Sequence, residues 1–122
     1  MIQSTAFLRL LQVGFWAALL FTLFSAFAPS SQVENLLPWD KAQHFLAFYV
    51  LSVLGAAAFP KRSLIVIGSV LSGLGALIEL VQATPFVARD GDVFDWVADT
   101  VAIVVALGPV VLMHWRARMQ RE

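Results

Sequence analysis

The side chains of this sequence that can do chemistry fall into three short sets. Asp40, Lys41 and His44 form the first, Glu79 and Gln82 the second, and Arg89, Asp90, Asp92, Asp95 and Asp99 the third. Asp40 and His44 are four apart, Glu79 and Gln82 three apart, and Asp92, Asp95 and Asp99 follow at three and four. On helices these spacings put each set on one face. Converging carboxylates with an imidazole suit a cationic or polar group, or proton exchange between His44 and Glu79. Other chemistries are excluded. There is no cysteine, hence no disulfide, thiolate metal site or cysteine nucleophile. Ser52, Ser69 and Ser72 have no histidine at their depth for serine-type catalysis. A mixed Asp/Glu/His cluster suits zinc or manganese, but no spacing such as H-E-x-x-H occurs. No metal or cofactor is therefore expected.

The elements that must position these residues are set by an apolar composition. Of 122 residues 60% are hydrophobic and 13% charged, and the mean hydropathy is +0.82. A soluble domain carries about 25% charge, so the solvent expected here is lipid. Each helix crossing a bilayer core of about 30 Å needs roughly 20 apolar residues. Four stretches approach that length, at 8–28, 40–59, 64–83 and 94–115. The second has only fifteen apolar residues, Phe45 to Phe59, and borrows its outer turn from Asp40 to His44. Pro29-Ser30-Ser31, Pro38, Pro60-Lys61-Arg62 and Pro85 punctuate the runs. Connections this short predict antiparallel neighbours. The fold class expected is all-α, a polytopic membrane protein forming one four-helix antiparallel bundle over 1–122. Ala26-Phe27-Ala28 imitates a signal-peptide cleavage site, but the apolar run is long and Pro29 would follow the cut, so the first helix is expected to be retained.

Basic residues orient the bundle. With both termini cytoplasmic, the inner side holds Arg9, Lys61, Arg62, Arg116, Arg118 and Arg121, and the outer side only Lys41 and Arg89. Trp39 and Trp96 then fall near the outer interface and Trp115 near the inner one. The formal net charge of zero divides into a basic inner face and an acidic outer one. It also argues against nucleic acid as a partner, since phosphate binding needs a basic excess. The predicted location is the bacterial inner membrane, multi-pass.

In this topology all three polar sets converge at the outer end. Glu79 lies about 6 Å inside the apolar zone and Asp99 is comparably deep. Ser72, Gly75 and Ala76 continue the face of Glu79, and Ala102 and Ala106 that of Asp99. Small residues let backbones approach closely in lipid. Plainer roles exist for several members. Asp40 is placed to cap the second helix, Asp92 and Asp95 suit the dipole of the fourth, and Lys41 can snorkel. Arg89 can pair with Asp92 or Asp95, and Asp90 reads as solvated loop. His44, Glu79 and Asp99 resist such readings, because an ionisable group inside the membrane costs at least ~2.5–3.5 kcal/mol.

These motifs resemble the VanZ-like family of small bacterial membrane proteins. The likeness rests on Asp40-Lys41-x-x-His44 opening the second span, Glu79-x-x-Gln82 closing the third, and Arg89 followed by Asp95 and a polar residue four further on. It covers residues 40 to about 106. The family usually has asparagine where Asp99 stands and glycine where Ala102 stands, so the site here is the more acidic. The resemblance implies association with the cell envelope but no reaction; the namesake is linked to low-level teicoplanin resistance.

The leading expectation is binding: an outer pocket of Asp40, Lys41, His44, Glu79, Gln82, Arg89, Asp92, Asp95 and Asp99 that takes the head group of an envelope lipid or glycan. One alternative is an intramembrane enzyme acting on a lipid-linked phosphate or glycan, with Asp40 or Glu79 as base and His44 as acid. Another is an accessory or assembly subunit of a larger membrane complex.

Overall fold

The computed structural model describes residues 4–28, 40–87 and 91–122, with Asp40 described in its backbone alone. All regular structure among them is helical: α1 (Thr5–Phe27), α2 (Asp40–Ala58), α3 (Leu64–Gln82) and α4 (Val93–Met119). The predicted runs therefore form helices, with α1 beginning three residues early and α4 extending to Met119. Pro29 to Trp39 and Ala88 to Asp90, including Arg89, lie outside the described residues.

The starts of three helices follow from local chemistry. Ser4, Ser63 and Asp92 are extended N-caps whose side chains accept from Phe7, Ile65 and Phe94 N–H groups respectively. Each cap satisfies one of the amides left over at a helix start. Helix α4 runs on through Pro109, which removes one backbone donor but is tolerated where neighbouring helices support the break.

Three helices, α1, α3 and α4, are long and apolar enough to cross a membrane. Helix α2 forms as expected but does not join them, because Asp40, Lys41, Gln43 and His44 occupy its first turns. Successive helices alternate in direction. Gln12, near the start of α1, donates from Nε2 to the Ala58 carbonyl at the end of α2 (3.2 Å). Gln82, ending α3, donates to the Ala26 carbonyl at the end of α1 (2.7 Å). The ends of α1 and α3 thus meet the starts of α2 and α4.

Helix α2 is the hub, packing most extensively on α4 and next on α1. Phe48, Leu51 and Ala58 of α2 are buried with Leu71 and Ile78 of α3 and Ala102, Ile103 and Leu107 of α4. Phe15 joins from α1, edge-on to Trp16 and Phe59. Outward, the bundle presents Leu10, Leu20, Phe21, Phe24, Leu80, Val104 and Met113 to its surroundings. Large apolar side chains on the outside of so many turns suit hydrocarbon, not water.

Two hydroxyls in the apolar region bond within their own helix. Thr22 and Ser52 bond back to the carbonyls of Ala18 and Phe48, one turn earlier. Ser52 is therefore a satisfied core residue.

Candidate functional site

The three polar sets meet at one end of the bundle, where α2 and α4 start and α3 ends. Asp95 and Asp99, in the first two turns of α4, point inward and are 4% and 0% exposed. His44, in the second turn of α2, lies against both. Its Nδ1 is 3.0 Å from Oδ1 of Asp99 and its Nε2 is 3.6 Å from Oδ2 of Asp95. The i, i+4 spacing of the two aspartates thus presents them to one imidazole, as the sequence pattern requires.

Lys41, one turn before His44, reaches the same helix. Its Nζ donates to Asp92 Oδ2 (3.0 Å) and lies 3.5 Å from Asp95 Oδ1. The ammonium is bound to the opposing helix, so simple snorkelling does not describe it. The Phe94 N–H and the Lys41 ammonium hold the Asp92 carboxyl below its ordinary value of 3.8.

Glu79 comes from the last turn of α3 and is 8% exposed. Its Oε2 accepts the backbone N–H of Asp92 (2.9 Å), a bond that fixes the entry of α4 against the end of α3. Gly91 makes this approach feasible, since a Cβ there would lie 3.0 Å from both the Glu79 carbonyl oxygen and the Ala83 Cβ. The other carboxylate oxygen, Oε1, is buried and has no hydrogen-bond partner. Gln82, one turn on, repeats the pattern: its amide nitrogen is spent on Ala26 and its Oε1 is buried without a partner. Both buried acceptors lie on one face of α3.

Beneath this cluster α3 and α4 come into close contact. A Cβ on Gly75 would lie 2.8 Å from Asp99 Oδ2. Trp96 Nε1 donates to the Ser72 carbonyl (3.0 Å), and the Ser72 and Thr100 hydroxyls are 3.0 Å apart. These contacts place Asp99 beside Glu79 and His44. One nitrogen or oxygen from each of the three lies within 4.8 Å of the others.

Of the residues singled out in the sequence, Lys41, His44, Glu79, Gln82, Asp92, Asp95 and Asp99 are brought to this one end. The side chain of Asp40, and Arg89 and Asp90 altogether, lie outside the described residues. Thr100 and the indole of Trp96 were not foreseen as interhelical bonds. Their signal was available in the depth they share with Ser72 on the antiparallel neighbour. Compared with protein-family models, curated proteins and solved structures, the chain matches none of them.

Proposed function

We propose that this chain is a small four-span membrane protein of VanZ-like type, with both termini cytoplasmic in a bacterial inner membrane. Its outer-side site, built from Lys41, His44, Glu79, Gln82, Asp92, Asp95 and Asp99, binds the polar head group of an envelope component. Helix α2 serves as the fourth span in this reading, its polar first turns lining the site instead of facing lipid. The Lys41 and His44 contacts to α4 support that placement.

One observation carries the reading: Glu79 Oε1 and Gln82 Oε1 are buried acceptors with no partner among the described residues. Leaving such a group unsatisfied costs about 1–3 kcal/mol, a cost a ligand offsets by bringing donors or positive charge. Acceptors on Asp92, Asp95 and Asp99 are engaged across to Lys41 and His44 of α2. The arrangement is suited to grip a ligand that donates, such as an amine- or hydroxyl-bearing head group.

The test is lipid mass spectrometry on the full chain purified in mild detergent. Wild type is expected to retain a specific envelope lipid or glycolipid, and Glu79→Gln to lose most of it. The glutamine keeps an acceptor for the Asp92 N–H, so the variant should fold. A folded wild type that carries only the bulk lipid mixture, or a variant that carries the same species, overturns the reading.

A further inference from the structure

We propose that His44, Glu79 and Asp99 form a binding site for one first-row divalent metal ion, of the Zn2+ or Mn2+ type. The inference rests on reading this end of the bundle as a ligand site, and it names what the deep acceptors receive first. Three helices each contribute one ligand: α2 the imidazole, α3 and α4 a carboxylate apiece. The ligand atoms lie within 4.8 Å of one another. Bonds of ~2.0–2.2 Å to a tetrahedral zinc ion give ligand–ligand edges of about 3.3–3.6 Å. His44 Nδ1 and Asp99 Oδ1, at 3.0 Å, already stand near that separation, and the rest closes with about 1.5 Å of side-chain movement at most.

A second observation is independent of the clustering. Glu79 is 92% buried, one oxygen engaged by the Asp92 N–H and Oε1 left with no hydrogen-bond partner. A buried carboxylate oxygen with nothing to accept from is poised for a cation. The imidazole then separates a metal from an ammonium group: carboxylates suffice for an ammonium, whereas a nitrogen donor among them favours zinc or manganese. Four carboxylates, those of Glu79, Asp92, Asp95 and Asp99, converge at this end beside Lys41 and His44.

The outer shell is also in place. Asp92 orients Glu79 through its N–H, Asp95 faces the imidazole, and Gly75 leaves room for Asp99. Supports of this kind fix ligand orientation and tune affinity. Three protein ligands leave a fourth position open, where a phosphate or hydroxyl of the head group would coordinate. No such ligand set is visible as a sequence motif, because its members are 35 and 20 residues apart.

The experiment uses the full chain in detergent, stripped with EDTA and titrated with Zn2+ or Mn2+ alone, with Ca2+ as a hard-cation control. Isothermal titration and elemental analysis should report about one ion per chain with Zn2+ or Mn2+ favoured over Ca2+. Glu79→Gln should weaken binding by at least about tenfold while helicity and Tm show it folded. Cobalt substitution should give a ligand-field spectrum that is lost in His44→Gln. A folded wild type that binds no metal above the detergent blank overturns the proposal, as does undiminished binding by Glu79→Gln. Lipid analysis of the same samples separates the two readings: specific lipid without metal defeats the metal site and leaves the head-group site standing. Metal without specific lipid supports the metal site and removes the head group.

Discussion

Gly75 and Asp99 are matched across the α3–α4 interface: a Cβ at position 75 would lie 2.8 Å from Oδ2 and 3.4 Å from Cβ of the fully buried Asp99. The clash is with a side chain held from the other direction by His44, so it has little room to give. Gly75→Ala should therefore destabilise by about 1–3 kcal/mol, the usual range for overpacking, read as a lower Tm in detergent. In an Asp99→Ala background the same change should cost much less, since the opposing carboxylate is gone. Equal costs in both backgrounds would show that the contact is not the cause.

Lys41 is the cation described at the rim of the cluster, shared between Asp92 and Asp95. Lys41→Ala should lower Tm, by less than Gly75→Ala, because solvent screens the partly exposed ammonium. Lys41→Arg should restore most of the loss. Added salt should weaken wild type but leave Lys41→Ala nearly unchanged; identical salt responses would refute the link.

The pH dependence of that link has a defined sign. Asp92 is held below 3.8 by the Phe94 N–H first and by Lys41 second. A depressed carboxyl adds stability that is fully present above its unfolded value and is lost as pH falls through the folded one. The Tm gap between wild type and Asp92→Asn, which keeps the cap, should stay level from neutrality to about pH 5 and close only below about pH 4. Closure near pH 6 would point to a histidine instead.

How much of this was legible beforehand follows from range. The helices were readable because apolar runs, prolines and caps are local signals, and three polar sets could be assigned to faces by spacing alone. Lys41 was ambiguous from sequence, since snorkelling and interhelical pairing demand the same residue type. The pairing rests on Asp92 and Asp95, more than fifty positions away. The closeness of Glu79 to both His44 and Asp99 was likewise a property of packing, fixed by Gly75 and Gly91. A tight motif search looks along one helix, whereas this cluster is assembled across three.

Gln82 is 2% exposed and spans two helices by donating to Ala26. Gln82→Leu should cost about 1 kcal/mol, within the range of interhelical hydrogen bonds in membranes. Gln82→Glu should cost more, because it replaces the donor with a second buried acceptor facing a carbonyl. A Tm unchanged in both variants would mean the bond carries no weight.

The two glutamine bridges also impose an order on biosynthesis. The carbonyl at the end of α2 finds Gln12 on a helix already made, so the first pair can close as soon as Ala58 emerges. The carbonyl of Ala26 must wait for Gln82, 56 residues later. Until α3 arrives, the C-terminal end of α1 keeps an acceptor that water or the insertion machinery must serve. The first helix is thus made early but completed late, and chains truncated before Gln82 should be the ones recognised and degraded as unfinished.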